Sequence, residues 1–272
     1  MGKFLKLSVV YALARNIEFD IVVQGELRDI VKLISNLGYD GVELNIQDPF
    51  HVNATNLMRI IEKYNLSVAA ISTGLSYLTY GYSLSSPNEE LRGNAIKFFK
   101  KYIELSVELN SRKVVIGLAR GKCNQDVDCD KAKELLRESL EMLNDYARQY
   151  NVILVFEPLN RYETKLVNRL NEAVELIRDL SNVRILLDTF HALLEERNVY
   201  DAIEYVGPYL GHVHVADSNR LAPGLGMIDW ERVVYRLLKV GYRGYLSVEA
   251  RTEPSFKDML AISAKTLKPL LL

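Results

Sequence analysis

The stretch NVILVFEPLNRYET, at residues 151–164, contains the pattern that decides the fold: a short apolar run that ends at a carboxylate, Glu157. The same pattern returns in three later stretches: NVRILLDTFH at 182–191, LGHVHVADSNR at 210–220 and YLSVEAR at 245–251. Their terminal polar residues are Asp188, His214 and Glu249. Successive residues of this set lie about 30 positions apart, the length of a strand and a returning helix. Neighbouring parallel strands would therefore bring the four side chains to one edge of a sheet.

Strand-like and helix-like patterns alternate along the whole chain. Eight apolar runs predict strands, at residues 4–10, 40–46, 66–72, 113–118, 152–157, 183–188, 211–216 and 245–250. Between them, apolar residues at three- and four-residue spacing predict helices at 27–37, 88–109, 131–150, 171–180 and 230–239. Eight such units in 272 residues predict an α/β fold, a (β/α)8 TIM barrel, rather than an open sheet with a glycine-rich phosphate turn after its first strand. No linker divides the chain, so we expect a single domain, 1–272.

Composition favours a small-molecule partner. The chain has 34 Lys and Arg against 35 Asp and Glu, a formal net charge of −1, so no positive field would attract nucleic acid or an anionic membrane. The apolar run near the amino terminus is too short for a signal sequence, and nothing approaches the ~18 apolar residues of a membrane span. We expect a soluble, cytoplasmic protein. Cys123 and Cys129 lie in a polar stretch without a nearby histidine, which favours free thiols over a local disulfide and argues against zinc.

The four strand-terminal residues form a candidate metal site. In a (β/α)8 barrel, functional side chains lie at the carboxyl ends of the strands. Three carboxylates and one imidazole are mostly hard oxygen ligands, which suit Mn²⁺, Mg²⁺ or Co²⁺ better than structural zinc. Their charge of about −3 requires a divalent cation at close range. If Glu157 and Glu249 lie on opposite sides of a bound sugar, each can exchange a proton with one face of the same carbon.

Nearby polar residues extend this site. His212 and His214 share one face of their strand, and we assign His214 to the metal and His212 to the barrel interior because His214 is nearer the carboxyl end. His191 follows Asp188 by three residues and is either a site residue or a structural histidine. Arg220 either offers its donors to substrate oxygens or lies on the surface. The side chain of Glu163, six residues after Glu157, could point back toward the open end of the barrel.

Two further features have open interpretations. Segment 73–87, TGLSYLTYGYSLSSP, is the longest loop by pattern, and Tyr77, Tyr80 and Tyr82 either form a wall of the site or are solvated. Arg120, at the end of the fourth strand, is either structural or holds an anionic group.

As a set, the motifs EPLNRYE, DTFH, GHVHVADSNR and VE resemble the xylose-isomerase-like (β/α)8 superfamily of sugar isomerases and epimerases, above all its D-tagatose/D-psicose 3-epimerase branch. The resemblance covers essentially the whole chain. It implies one divalent ion, Mn²⁺ before Mg²⁺ or Co²⁺, on four ligands: Glu157, Asp188, His214 and Glu249. It implies that Glu157 and Glu249 also exchange protons with the substrate. The implied substrate contacts are Glu163, His191 and Arg220.

The predicted activity is that of a metal-dependent ketose 3-epimerase, which acts through a cis-enediolate. An aldose-ketose or hydroxypyruvate isomerase and an inosose dehydratase are alternatives on the same site. An endonuclease IV-like nuclease is remote, because it needs about five histidine ligands and this chain has four histidines. A non-catalytic descendant is disfavoured by the complete ligand set. The sequence leaves open whether the sugar carries a phosphate and whether the barrel is a monomer, a dimer or a tetramer.

Overall fold

The computed structural model describes residues 4–14, 20–123 and 127–271. In these ranges eight parallel strands close into a barrel in chain order. Strands β1 to β8 are Lys6–Leu13, Gly41–Ile46, Ser67–Ser72, Lys113–Ile116, Ile153–Phe156, Val183–Asp188, Leu210–Val215 and Tyr245–Val248. The (β/α)8 TIM-barrel fold class is confirmed. The assignment of 1–272 to one domain includes residues outside this description and stays a prediction.

Helices surround the barrel. Within the described ranges, α1 to α10 are Leu27–Asn36, Ala54–Glu62, Gly74–Tyr80, Glu89–Glu108, Cys129–Gln149, Leu170–Ile177, Thr189–Glu195, Val199–Val206, Trp230–Lys239 and Phe256–Leu267. Asn, Asp or Ser side chains cap many of their amino termini, and Gly38 and Gly241 follow α1 and α9 with φ of 78° and 79°, as helix-ending glycines do. Of the helices described, none combines the length and apolar character needed to cross a membrane.

Side-chain alternation along the strands separates the barrel interior from the layer beneath the helices. In β6, Ile185 and Leu187 belong to the core between strands and helices. Leu186 belongs to a separate inner cluster with Ala70, Val115 and Val155. Because strand side chains point alternately to opposite faces, Asp188 shares the inner side with Leu186. The barrel interior below the strand ends therefore contains these apolar side chains together with buried polar ones, among them Glu43 and His212.

Some predicted boundaries were wrong. Segment 73–87 is not a continuous loop, because its first half forms α3. No helix was predicted at α2, α7, α8 or α10. Helix α4 agrees with the predicted 88–109 to within one residue at each end, and the Asn88 side chain caps it by accepting hydrogen bonds from the amides of Glu90 and Leu91.

The expectation of free thiols was also wrong. Cys123 and Cys129 form a disulfide, the alternative that the sequence left open. Asp128 caps α5 by accepting from the Lys131 amide at 2.9 Å, which fixes Cys129 in the first turn of the helix. The Cα atoms of the two cysteines are then 5.1 Å apart, within the range that a disulfide spans. Sequence spacing alone does not reveal this approach.

Candidate active site

The four strand-terminal residues lie at the carboxyl ends of β5 to β8. Asp188 is the last residue of β6 and is paired in register with His214 of β7. Glu157 directly follows β5, and its amide donates to the Ile116 carbonyl of β4 at 3.1 Å. Glu249 directly follows β8, and its amide donates to the Val215 carbonyl of β7 at 3.2 Å. Backbone pairing with neighbouring strands thus holds all three carboxylates and the imidazole at one end of the barrel.

The side chains of Glu157, Asp188, His214 and Glu249 converge. Each is buried, and one ligand atom from each lies within 4.8 Å of those of the other three. His214 Nδ1 is 3.4 Å from Glu157 Oε1 and 3.6 Å from Glu249 Oε2. Glu157 Oε1, Asp188 Oδ2 and His214 Nδ1 are buried without a hydrogen-bond partner. Since buried polar atoms are normally paired, these orphaned atoms fit a metal ion that they would coordinate together.

The pKa values of these side chains also favour a bound cation. Burial, together with the charges of Glu157 and Glu249, raises the pKa of Asp188 to about 7. Burial and the nearby Glu249 also raise the pKa of Glu157. Burial by itself would lower the pKa of His214, but the carboxylates of Glu43 and Glu249 outweigh it and hold that pKa well above its usual range. The carboxylates repel one another, so a divalent cation would stabilise the charged forms of all of them.

Two neighbours shape the position of Glu157. A Cβ atom added at Gly117 would lie 2.6 Å from Glu157 Oε2, so the carboxylate occupies space that only glycine leaves free. Arg120 is fully buried, its Nη1 donates to the Glu157 backbone carbonyl, and its guanidinium lies 5.3 Å from the centre of the Phe156 ring. Burial lowers the pKa of Arg120 to about 9, although Glu157 acts in the opposite direction. These contacts favour the structural interpretation of Arg120.

Beside the carboxylates is a pocket of about 180 Å³, open to solvent at the carboxyl end of the barrel. The predicted residues Glu163, His191 and Arg220 line it together with Glu157, His214 and Glu249. Further lining residues, which the sequence did not single out, are Asp20, Asn45, Ser72 and Thr73. The structure thus brings every predicted substrate residue to the predicted metal site.

Arg220 is fixed by contacts on several sides. Its Nη1 is 3.2 Å from Glu163 Oε1, and its guanidinium lies 5.0 Å from the centre of the Phe190 ring. Asp217 organises the loop that carries Arg220: it accepts from the Ser218 and Ile228 amides, from the Gly224 amide and from Trp230 Nε1, at 2.8 to 3.1 Å. The Arg220 amide donates to the Asp217 carbonyl at 2.8 Å. The side chain of Arg220 therefore lines the pocket rather than the outer surface.

His191 is buried, and a residue that the sequence did not indicate sets its tautomer. The Asn160 backbone amide donates to His191 Nδ1 at 3.3 Å, and the Asn160 side-chain amide lies 2.7 Å from the same atom. Nδ1 therefore accepts, which leaves the proton on Nε2. Burial, followed by the positive charge of Arg220, lowers the pKa of His191 well below its usual range, so a neutral ring can donate one hydrogen bond.

The three tyrosines of segment 73–87 do not line the described pocket. The rings of Tyr80 and Tyr82 stack at 5.3 Å, and each packs edge-on against Phe98 of α4. Tyr77 packs against the main core. The interpretation as a substrate wall is therefore wrong for the described residues, because Tyr80 and Tyr82 pack against α4 and Tyr77 packs against the core.

A buried carboxylate beneath the site, Glu43 of β2, was also missed. It lies between His212 and His214: Glu43 Oε2 is 2.7 Å from His212 Nε2, and Glu43 Oε1 is 2.9 Å from His214 Nε2. His212 is in the barrel interior, where the sequence placed it. A single glutamate within the apolar run GVELNI was the available signal, because a buried charge requires partners.

The fold and the site can be compared with those of known protein families. A family model described as xylose isomerase-like TIM barrel matches residues 31–270. This chain belongs to that family.

Similar proteins narrow the class further. D-psicose 3-epimerase of Enterocloster bolteae is 30% identical over 224 residues, which cover 79% of this chain and 74% of that protein. 3-Dehydro-D-guloside 4-epimerase of Escherichia coli is 27% identical over 246 residues, covering 85% and 91%. The structure of a D-allulose 3-epimerase from Methylomonas sp. has the same fold, with a TM-score of 0.81, 20% identity and 99% of each chain covered. These relatives are epimerases, which confirms the prediction of an isomerase-class enzyme.

Proposed function

We propose that this protein is a divalent-metal-dependent ketose 3-epimerase. The observation that carries the proposal is the buried convergence of Glu157, Asp188, His214 and Glu249 beside a pocket lined by Glu163, His191 and Arg220. The relatives named D-psicose and L-ribulose 3-epimerases support the choice of a ketose and of C3. Three oxygen ligands and one nitrogen ligand support Mn²⁺, with Mg²⁺ or Co²⁺ as alternatives.

The two glutamates account for inversion at one carbon. A bound divalent ion would polarise adjacent substrate oxygens and stabilise the negative charge of a cis-enediolate. Glu157 and Glu249 approach the pocket from β5 and β8, two strands that are not neighbours, and their carboxylates lie 3.4 and 3.6 Å from His214 Nδ1. One carboxylate removes the C3 proton from its face, and the other returns a proton from the opposite face. The two glutamates exchange these roles in the reverse reaction.

The remaining pocket residues orient the sugar. His191 Nε2 donates to a substrate oxygen, since Asn160 occupies Nδ1. Glu163 and Arg220, held together at 3.2 Å, offer one acceptor and one donor group to neighbouring hydroxyls. Such contacts give specificity, because a substrate without the matching hydroxyl leaves buried polar groups unpaired.

The charges of the pocket favour an unphosphorylated sugar. Among the described lining residues, Arg220 is the one with a permanent positive charge, and Glu163 already pairs with it. Asp20, Glu157 and Glu249 add negative charge to the same pocket. A bound divalent ion would offset the charges of Glu157 and Glu249, but the described lining residues would still offer a phosphate group no unpaired cationic side chain, whereas the hydroxyls of a free ketose would find acceptors.

A second candidate is a 4-epimerase of a 3-keto sugar. The match to the E. coli 3-dehydro-D-guloside 4-epimerase covers 85% of this chain and 91% of that protein. The match to the D-psicose 3-epimerase of E. bolteae covers a smaller share of that protein, 74%. The chemistry is closely related, because a proton beside a carbonyl is removed from one face and returned to the other. The same residues would act on C4 instead of C3.

Product analysis separates these activities. The protein, stripped with a chelator and reloaded with Mn²⁺, is incubated with free ketoses, ketose phosphates, aldoses, inososes and 3-keto glycosides. We expect a C3 epimer from at least one free ketose and no reaction without added metal. A C4 epimer from the 3-keto glycosides alone would favour the second candidate. An aldose or a dehydrated product would contradict both.

A further inference from the structure

Glu43 makes contacts that the proposed reaction does not use directly. It is fully buried in the barrel interior, below the candidate metal ligands. Its carboxylate accepts a hydrogen bond from Ser72 Oγ and lies within hydrogen-bond distance of the Nε2 atoms of His212 and His214, at 2.7 and 2.9 Å. The two histidines and the carboxylate come from strands on different sides of the barrel, β7 and β2. The carboxylate oxygens of Glu43 and the Nε2 atoms of both histidines are paired, whereas the Nδ1 atom of each ring is buried without a hydrogen-bond partner.

The two nitrogens of His214 face different partners. Nε2 meets Glu43 Oε1 at 2.9 Å, whereas Nδ1 faces Glu157 and Glu249 and has no hydrogen-bond partner. An ionised carboxylate is an acceptor only, so the ring donates from Nε2. When the ring is neutral, the lone pair is then on Nδ1, the atom that faces the other three ligands. The choice of tautomer is thus determined by Glu43.

We propose that Glu43 is a positioning residue that holds His214 in the Nε2–H tautomer and so presents the Nδ1 lone pair to the metal ion. The proposal rests on the metal-dependent function above. Carboxylates that accept from a ligating histidine commonly fix its ring and raise its basicity, and their loss weakens metal binding about 10- to 100-fold. Glu43 would act in this way from within the barrel.

A second ion bound by Glu43, His212 and His214 is the competing interpretation, since these three residues are also close enough to share a metal. Such an ion would require a free lone pair on each Nε2. Both Nε2 atoms instead lie at hydrogen-bond distance from the Glu43 oxygens, and no Glu43 oxygen is without a partner. The observed pairing therefore favours a positioning role.

The test compares Glu43→Gln with the matched variant His212→Gln, using the full-length protein and Mn²⁺ as the probe. Glutamine keeps the size of Glu43 but removes its charge and one of its two acceptor atoms, so His214 Nε2 either loses its acceptor or keeps a neutral one that fixes the ring and raises its basicity less than a carboxylate does. His212→Gln changes the same buried layer but leaves the Glu43 contact to His214 intact. Isothermal titration gives the Mn²⁺ affinity and stoichiometry of each protein, and thermal unfolding of the metal-free forms reports structural damage.

We expect Glu43→Gln to weaken Mn²⁺ binding 10- to 100-fold and His212→Gln to change it less than about threefold. Equal affinity in Glu43→Gln and wild type would overturn the positioning role alone, whereas a wild-type protein that binds no divalent ion would overturn the proposed function as well. Two Mn²⁺ per wild-type chain, reduced to one in His212→Gln, would establish the second ion and overturn the positioning role.

A measurement on the wild-type protein does not depend on the folding of either variant. Nitrogen-15 spectra of the histidine side chains, recorded with diamagnetic Zn²⁺ bound, distinguish the two tautomers. We expect His214 to carry its proton on Nε2 and the metal on Nδ1. A proton on Nδ1 with the metal on Nε2 would overturn the proposal.

Discussion

Replacing Asp188 with asparagine separates two roles of one side chain. Asp188 Oδ1 caps α7 by accepting from the amides of Phe190 and His191 at 2.7 and 3.1 Å. Asp188 Oδ2 is buried without a partner and faces the other candidate ligands. The amide of asparagine can keep its oxygen at the cap and place its nitrogen where the metal-facing oxygen was. The substitution then removes a ligand and a charge but not a helix cap.

The expected magnitudes differ for the two roles. Loss of one anionic ligand should weaken Mn²⁺ binding at least 100-fold, which corresponds to about 2.8 kcal/mol. The metal-free protein should unfold at the same or a slightly higher denaturant concentration, because the carboxylate of Asp188 is repelled by Glu157 and Glu249. Asp188→Ala, which removes the cap as well, should in addition lose about 0.5 to 2 kcal/mol of stability.

Elemental analysis after gel filtration and isothermal titration measure the loss of Mn²⁺ binding. Chemical denaturation in the presence of a chelator measures the stability of the metal-free protein. The comparison of Asn with Ala is the control, since both lack the ligand and one lacks the cap. Full metal occupancy in Asp188→Asn would refute the assigned site. Equal loss of stability in both variants would refute the separation of the two roles.

The remaining predictions concern the pocket and its loop. Glu163→Ala, His191→Ala and Arg220→Ala should each lower kcat/KM by the equivalent of about 1 to 3 kcal/mol while Mn²⁺ stays bound; unchanged kinetics in all three would show that the pocket is misassigned. In Asp217→Asn an amide group replaces one carboxylate oxygen, so either Trp230 Nε1 and the Gly224 amide or the Ile228 and Ser218 amides lose their acceptor; since one donor of each pair is buried, the free energy of unfolding at pH 7 should fall by about 1 to 3 kcal/mol. Burial would raise the pKa of Asp217, but the Trp230 indole and backbone amides prevail and lower it, so its contribution is complete above pH ~4 and lost as the pH falls further. The stability difference between Asp217→Asn and wild type should therefore shrink below pH ~4, and a difference that grows there would contradict this reasoning.

The metal-site geometry could be predicted from the sequence because it depends on two local rules. Side chains alternate along a strand, so His212 and His214 share the inner face, and the ends of parallel strands meet at one edge. The register that pairs Asp188 with His214 also depends on a shift between Ile185 and Leu186, which these rules do not predict. The placement of Glu163, His191 and Arg220 in the same pocket was predicted from the resemblance, because their spacing from the ligands matches that of the family.

The features that escaped prediction depend on contacts across the closed barrel. Glu43 meets His212 across 169 residues of sequence, a pairing that exists only once β2 and β7 share the barrel interior. Asn160 acts through its backbone as well as its side chain, and backbone donors leave no motif. The disulfide of Cys123 and Cys129 depends on where α5 begins, which is among the least certain features of a helix.

The central claim is that Glu157 and Glu249 exchange protons with opposite faces of one substrate carbon. Turnover of an accepted ketose in deuterated water tests it most directly, with the position of deuterium read by NMR. We predict deuterium at C3 of the epimer. Glu157→Gln and Glu249→Gln, with metal occupancy verified, should each block net epimerisation, and exchange into unreacted substrate can proceed only from the face that keeps its glutamate. Deuterium found only at C1 or C2 would show an isomerase instead and contradict the account.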